Sequence, residues 1–388
     1  MHPSQQIRGE KSDILDGKKI ALCVTGSIAA VETVKLAREL IRHGAEVFIY
    51  VTKDALKFVG KDSLLFATGN EVVDKLTGRD EHLEDFDIVL VAPATANVIS
   101  KAACGIADDD VTTLILANLN KCVFVPTMDE RMRKNPILGE NIKKLENYCK
   151  FIEPLKEEGK LKIPPVESIS AEVMHFLRDE LRGKKILVIG GAGYERIDDF
   201  RIITNLSTGK TAVEIAKYAY YYGAEVKLLM ALHSVDVPSF LDTESFDSVE
   251  SLISRIDSFK EYDAIVVPAA LPDFKPEKRE GKIKDLEDME KIRFEETPKF
   301  LRELRKKYRG ILVGFKAEAG IDEEELVRRA RSRMKEYALN IMVANLVENV
   351  KMDYTKAAII FDDEDIEKFE GRKDMLAKRI VELLVECL

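Results

Sequence analysis

Three apolar runs in the first half of this chain end in residues able to hold an anion or meet a substrate. Residues 20–24 lead into Thr25-Gly26-Ser27; hydroxyls and backbone N–H groups at a helix start can hold a phosphate, or simply cap the helix. His82 stands just before the run 87–91, and Pro93-Ala94-Thr95-Ala96-Asn97 stands at its C-terminal end, the place where open α/β sheets bind ligands. An imidazole titrates near neutral pH and can take a proton from a reacting group; on its own, a histidine before a strand is equally a surface residue. The run 122–125 ends in Pro126-Thr127-Met128-Asp129-Glu130-Arg131-Met132, so three strand ends converge on one crevice. Further along, Asn205-Leu206-Ser207-Thr208-Gly209-Lys210 closes on Gly-Lys as a phosphate loop does, without the G-x-x-x-x-G-K-S/T spacing. Its hydroxyls and one amide suit a phosphorylated substrate. Gly281-Lys282-Ile283-Lys284 sits in a charged, proline-bearing stretch that by charge alone reads as a solvated loop.

These residues need elements to position them, and the sequence supplies one pattern twice. Residues 20–24 form a strand, 29–43 an amphipathic helix stopped by Gly44, and 46–51 and 87–91 further strands. The order restarts at Lys184: strand 186–189, a turn at Gly190-Gly191-Ala192-Gly193, and a helix over 209–222 ending at Gly223. Wording repeats too, since His43-Gly44-Ala45-Glu46-Val47 is echoed by Tyr222-Gly223-Ala224-Glu225-Val226. Alternation of this kind predicts an α/β fold of two tandem Rossmann-like domains, each with a parallel sheet covered on both faces. The helix 168–181, followed by Arg182-Gly183, marks the junction, giving domains 1–182 and 183–388. Neither glycine turn matches G-x-G-x-x-G, and the strands that would carry a ribose-binding acid end in Val51-Thr52 and Met230-Ala231. A nicotinamide dinucleotide is therefore disfavoured, while FMN or a nucleoside triphosphate remains compatible.

Composition narrows the function classes. A chain of 388 residues suits two domains. A net charge of −9, with no basic stripe, argues against nucleic acid as a partner. The first sixteen residues are polar and lack the apolar core of a signal peptide. No apolar run reaches the ~20 residues that span a bilayer, so the expectation is a cytoplasmic protein without a membrane partner. Five cysteines without a C-x-x-C pair give neither a disulfide framework nor a structural zinc site.

On Thr25-Gly26-Ser27, His82, Pro93 to Asn97 and Pro126 to Met132, residues 18–181 resemble the phosphopantothenoylcysteine decarboxylases. The resemblance implies a flavodoxin-like flavoprotein unit. It implies FMN, held by Gly26, Ser27, Thr52, Pro93, Thr95 and Asn97, with Asn97, Met128 and Asp129 facing the substrate. In that family a histidine begins oxidation of the substrate thiol by FMN. The resulting thioaldehyde loses carbon dioxide, and the reduced flavin returns its electrons. His82 is the matching base. Asp129 replaces the asparagine of the family's P-x-M-N motif, placing an anion where an amide meets the substrate carboxylate, and like charges repel. The family's clamp is faint over 152–161, where Glu153 aligns with the cysteine that returns the final proton. Glu153 is the first candidate for that step and Cys149 the second.

Arg196-Ile197-Asp198 through Lys210 resembles the opening of the phosphopantothenate-cysteine ligases, keeping Arg201, Asn205, Ser207, Gly209 and Lys210, though Ala192-Gly193-Tyr194 departs from it. Pro268 to Phe274, Val313 to Glu318 and Ala344-Asn345 follow the same family's later motifs. The resemblance covers nearly all of 183–388. It implies that Asn205 and Lys282 are catalytic and that Ser207, Gly209 and Lys210 hold substrate. Ala270, Asp273, Lys282, Lys284 and Phe315 would hold the nucleotide. The implied reaction joins 4'-phosphopantothenate to cysteine through an acyl-cytidylate made from CTP, with Mg2+ offsetting triphosphate charge. Relatives also imply a homo-oligomer, up to a dodecamer of decarboxylase trimers and ligase dimers. Two other readings stand beside this one. One is a flavin-dependent oxidoreductase; the other is a regulatory scaffold with a degenerate decarboxylase unit, motivated by Asp129 and the absent clamp cysteine.

Overall fold

In the computed structural model, which describes residues 2–77, 83–157, 159–361 and 365–388, the chain divides into two compact units, Met1–Leu177 and Arg178–Leu388. Apolar runs that must be covered on both faces become the inner strands of parallel sheets. In the first unit these are β1 (Lys19–Val24), β2 (Glu46–Val51), β4 (Ile88–Ala94) and β5 (Cys122–Pro126), with the short β3 (Val72–Val73) at the edge beside β2. β4 and β5 are buried at every residue and β1 at all but its first. Next come β6 (Met128–Asp129), β7 (Lys150–Phe151), β8 (Leu155–Glu157) and β9 (Lys160–Lys162). The six-stranded sheet runs β3-β2-β1-β4-β5-β7, and a small antiparallel ribbon runs β6-β9-β8.

The connection from β1 to β2 differs in detail from the helix expected over 29–43. A 3-10 turn over Ile28–Glu32 comes first, and the α-helix occupies Thr33–Arg42. Ser27 Oγ accepts a hydrogen bond from Ala29 N at 3.3 Å, and Thr33 Oγ1 donates to Ala30 O at 2.6 Å. These side-chain bonds hold the first turn in the tighter winding.

The second unit contains β10 (Lys185–Gly190), the hairpin β11 (Tyr194–Arg196) and β12 (Ile202–Thr204), then β13 (Glu225–Met230), β14 (Asp242–Ser245) and β15 (Ala264–Val267). A second ribbon pairs β16 (Phe274–Pro276) with β17 (Phe294–Glu296). β18 (Ile311–Glu318), β19 (Ile341–Leu346), β20 (Tyr354–Ile360) and β21 (Ile366–Arg372) complete the set. The eight-stranded sheet runs β14-β13-β10-β15-β18-β19-β20-β21. It is parallel as far as β19 and antiparallel beyond. In both sheets the order of strands reverses beside the first strand, between β1 and β4 and between β10 and β15, leaving a crevice at the C-terminal strand ends of each unit.

Two glycines fix the packing of β10 against the helix Lys210–Tyr221. A Cβ on Gly190 would lie 2.0 Å from the Cβ of Ala212, so only glycine permits this approach. Gly209, at φ +80°, takes the left-handed turn that starts the helix. The helix expected over 168–181 instead occupies Val166–Leu177. Pro165 O accepts from Ser168 N and Ile169 N, starting it early. It stops because Leu181 N bonds to Tyr222 O at 2.9 Å and the Arg178 guanidinium lies 4.5 Å from the Tyr222 ring centre, both within the second unit. No helix among the described residues is long and apolar enough to cross a membrane.

Candidate functional site

In the first unit the loops after β1 and β4 are tied together by one buried hydroxyl. Thr25 Oγ1 donates to Pro93 O at 2.7 Å and accepts from Thr95 N at 3.3 Å. Thr95 in turn caps the helix Ala96–Cys104 by accepting from Val98 N, which turns Asn97 into the crevice mouth. Gly26, Ser27, Thr52, Thr95, Asn97 and Met128 line a single cavity of about 800 Å³. Pro93 stands behind its wall, holding Thr25 through the carbonyl. Lys53, Lys75 and Lys101 line it together with Asp54, Asp74, Asp108, Asp109 and Asp110, so the wall carries charge of both signs. His82 lies outside the described residues.

Three other expected residues are placed elsewhere. Asp129 is not on that cavity: its carboxylate accepts from Arg131 Nε at 2.9 Å and Arg131 N at 3.0 Å. The Arg131 guanidinium holds this carboxyl below its ordinary range, so the anion at this position is already paired. Glu153 is exposed and lines a different cavity of about 550 Å³, with Pro126, Phe151 and Lys160. Cys149 is packed in the core; its thiol donates to Leu145 O at 3.0 Å, and burial pushes it up to about 12. The faint clamp segment does reach the P-x-M-D motif, since Leu161 pairs with Met128 and Lys160 with Asp129.

Asp110 was not foreseen. It lines the 800 Å³ cavity at 5% exposure, and its Oδ2 has no hydrogen-bond partner among the described residues. Burial pushes the carboxyl up to about 7, with Asp109 and Asp74 adding to the effect. The signal was the run Asp108-Asp109-Asp110 with Thr112, a capping box. Asp109 Oδ1 accepts from Thr112 N at 2.7 Å while Asp109 N donates to Thr112 Oγ1 at 3.0 Å. Asp108 pairs with Lys101 at 2.8 Å. With those two engaged, Asp110 is left inside. The cavity's size, its threonine and serine hydroxyls and one buried carboxyl with a free oxygen fit a phosphate-bearing ring system such as FMN.

The second unit presents an open face. Asn205, Asp273, Lys282 and Lys284 are exposed. The loop 205–210 is shaped by its own hydroxyls: Ser207 Oγ accepts from Gly209 N and Thr208 Oγ1 from Lys210 N. Lys210 pairs with Asp353, and Asp273 with Lys299. Ala270 bridges the loop after β10, donating to Gly191 O at 2.9 Å and accepting from Gly193 N at 3.1 Å. Phe315 lies on β18 opposite Val343, two pairs before Ala317 meets Asn345. Lys282 Nζ sits 5.4 Å from the centre of the Phe200 ring. A cavity of about 420 Å³ in this unit lies at the opposite strand ends, around Lys185 and Glu225, and holds none of these residues. Among the described residues, no group of three or more His, Cys, Asp or Glu side chains is gathered as a metal ion would require.

Residues 8–178 match the family model described as Flavoprotein, and residues 181–388 match the DNA/pantothenate metabolism flavoprotein C-terminal domain. A Coenzyme A biosynthesis bifunctional protein CoaBC of Methanocaldococcus jannaschii is 38% identical over 98% of this chain and 97% of its own. Its namesake in Thermococcus kodakarensis is 42% identical over 94% of each. A solved C-terminal domain of a CoaBC protein is 26% identical, covering 54% of this chain and 97% of that one, with a TM-score of 0.46. With both domain models in order and relatives matching end to end, the chain belongs to the CoaBC family of bifunctional coenzyme A biosynthesis proteins.

Proposed function

We propose that the two units catalyse consecutive steps, with the second making the substrate of the first. The enzyme is a phosphopantothenate-cysteine ligase and a phosphopantothenoylcysteine decarboxylase. In the ligase half, the 4'-phosphopantothenate carboxylate attacks the α-phosphorus of CTP and pyrophosphate leaves. The cysteine amine then attacks the acyl carbon and CMP leaves. Lys282 stands over the α-phosphoryl group and offsets the charge that grows there, while Asn205 holds the acyl group. Ser207, Gly209 and Lys210 hold the substrate phosphate, and Ala270, Asp273, Lys284 and Phe315 the nucleotide. Mg2+, bound with the triphosphate, would offset its negative charge.

In the decarboxylase half, Gly26, Ser27, Thr52, Thr95 and Asn97 hold FMN along the 800 Å³ cavity. Bound FMN supplies a two-electron oxidation that is later reversed. His82 takes the thiol proton, and Asn97 and Met128 orient the substrate; Asp129, paired with Arg131 off the cavity, leaves no free anion against the substrate carboxylate. Glu153 returns the last proton, a role that requires the clamp segment, joined to Met128 through Leu161, to carry it from its own cavity to the substrate. The protein works in the cytoplasm as a homo-oligomer of trimeric decarboxylase and dimeric ligase contacts.

The observation that carries this reading is the single cavity at the C-terminal ends of β1 and β4, lined by six residues of the FMN and substrate sets, in a chain matched over 98% of its length by a relative. The test is the full reaction with 4'-phosphopantothenate, cysteine and either CTP or ATP. Yellow protein, faster pyrophosphate release with CTP, and 4'-phosphopantetheine as product are expected. Pyrophosphate release with ATP alone would remove CTP from the reading, and colourless protein would remove FMN.

A further inference from the structure

The flap that carries Lys282 is gripped by a neighbouring hairpin. The segment 277–293 rises from the ribbon β16–β17, and its tip meets the tip of hairpin β11–β12, residues 197–201. Asp198 is at the centre, with a side chain wholly inaccessible to solvent. Its Oδ1 accepts from Phe200 N at 2.8 Å and Arg201 N at 2.7 Å. Its Oδ2 accepts from Arg201 Nη1 at 2.5 Å and from Ile283 N at 3.1 Å. Arg201 Nη1 also donates to Ile283 O at 3.0 Å. Carboxylate and guanidinium thus take both backbone groups of the residue between Lys282 and Lys284.

The grip continues on either side. Asp199 N donates to Gly281 O at 3.2 Å and its Oδ2 accepts from Gly281 N at 2.9 Å, while Arg279 N donates to Ile197 O at 3.0 Å. Ile283 is 8% exposed between exposed lysines, so the flap's apolar residue is its plug and its charges point outward. Covering by the loops pushes the Asp198 carboxyl up. Donors from Phe200, Ile283, Arg201 N and the Arg201 guanidinium outweigh that, so it lies below its ordinary range.

We propose that Asp198, through Arg201, is a positioning residue that locks the Lys282–Lys284 flap to the strand leading into the phosphorylated-substrate loop. The inference rests on the ligase reading of this face. Its physical content is connectivity. β12 runs from Arg201 directly into the loop 205–210, and Thr204 Oγ1 fixes that strand by donating to Gly193 O at 2.8 Å. Flap and substrate loop then move as one piece, so substrate seated at 205–210 meets a lysine already aimed. Asp198 touches no reacting atom; it acts through the backbone of Ile283.

The test uses the full chain with Asp198→Ala, and Asp198→Asn as a milder variant that can still accept from the backbone N–H groups but lacks the charge for Arg201. Amide hydrogen exchange over 279–285 should quicken at least tenfold in Asp198→Ala and less in Asp198→Asn, with exchange in the helix Lys210–Tyr221 unchanged. The kcat for pyrophosphate release should fall about as far as in Lys282→Gln, while nucleotide KM changes less than threefold. Adding Arg201→Ala to Asp198→Ala should cost little more, because both act through one contact. Parent-level exchange in the flap, or fast exchange with kcat intact, overturns the proposal. A parent enzyme that releases no pyrophosphate with any nucleotide sinks the ligase reading instead, and the exchange comparison still decides the grip.

Discussion

A buried carboxyl whose charged form is disfavoured makes stability depend on pH in a direction opposite to a salt-bridged one. Asp110 holds its proton up to about pH 7 in the folded chain, against an ordinary value of 3.8. Between those values the folded state is protonated and the unfolded state is not, so stability falls as pH rises and stays low above 7. The full shift corresponds to at most roughly 4 kcal/mol. Asp110→Asn should flatten the decline of the cofactor-free melting temperature between pH 5 and 8; a variant that tracks the parent across that range would show Asp110 has no such role. The final proton is a separate matter. Cys149, bonded to Leu145 O and pushed up to about 12, is a packing residue, so Cys149→Ser should turn over within about twofold of the parent. Glu153→Gln should stall with reduced flavin and an unreduced enethiol product, read by flavin absorbance; the reverse pattern returns the role to the thiol. Residue types at strand ends were legible from sequence because their spacing follows the sheet. The inward turn of Asp110 was not, since it follows from Asp108 and Asp109 taking the other available partners.

At the scale of elements, the strands were legible where burial on both faces makes them uniformly apolar, as in β4 and β5. The edge β14, exposed along all four residues, carries no such signal. The short ribbons escaped for the same reason: β8 and β17 are exposed along all three residues. The clamp segment shows this best, because its sequence is weak yet its backbone reaches Met128 and Asp129. Close packing yields a sharp expectation. In Gly190→Ala the new methyl would meet the Cβ of Ala212 at 2.0 Å, and no rotamer change relieves two fixed Cβ atoms. Strand and helix must separate, at a cost of about 3 kcal/mol or more, which denaturant titration of the second unit would read as a lower midpoint. An unchanged midpoint would mean that the helix Lys210–Tyr221 can slide.

For the molecule as a whole, each unit has its own sheet and its own buried core, so each should survive alone. Residues 1–177 and 178–388, produced separately, are expected to unfold cooperatively, the first taking up flavin and the second releasing pyrophosphate. Failure of either piece to melt cooperatively would show that it depends on the other. The order of strands in the larger sheet also sets a schedule. Lys185 lies beside Glu225 and Ile186 beside Ala264, whereas Ile360 turns back onto Ile366. A chain leaving the ribosome therefore releases β10 long before its second neighbour exists, while the last hairpin can close almost as it emerges. Distant pairings close slowly, so the earliest strand of this unit is among the last to be enclosed. Refolding should then show hairpin protection well ahead of protection at Leu187 and Val188.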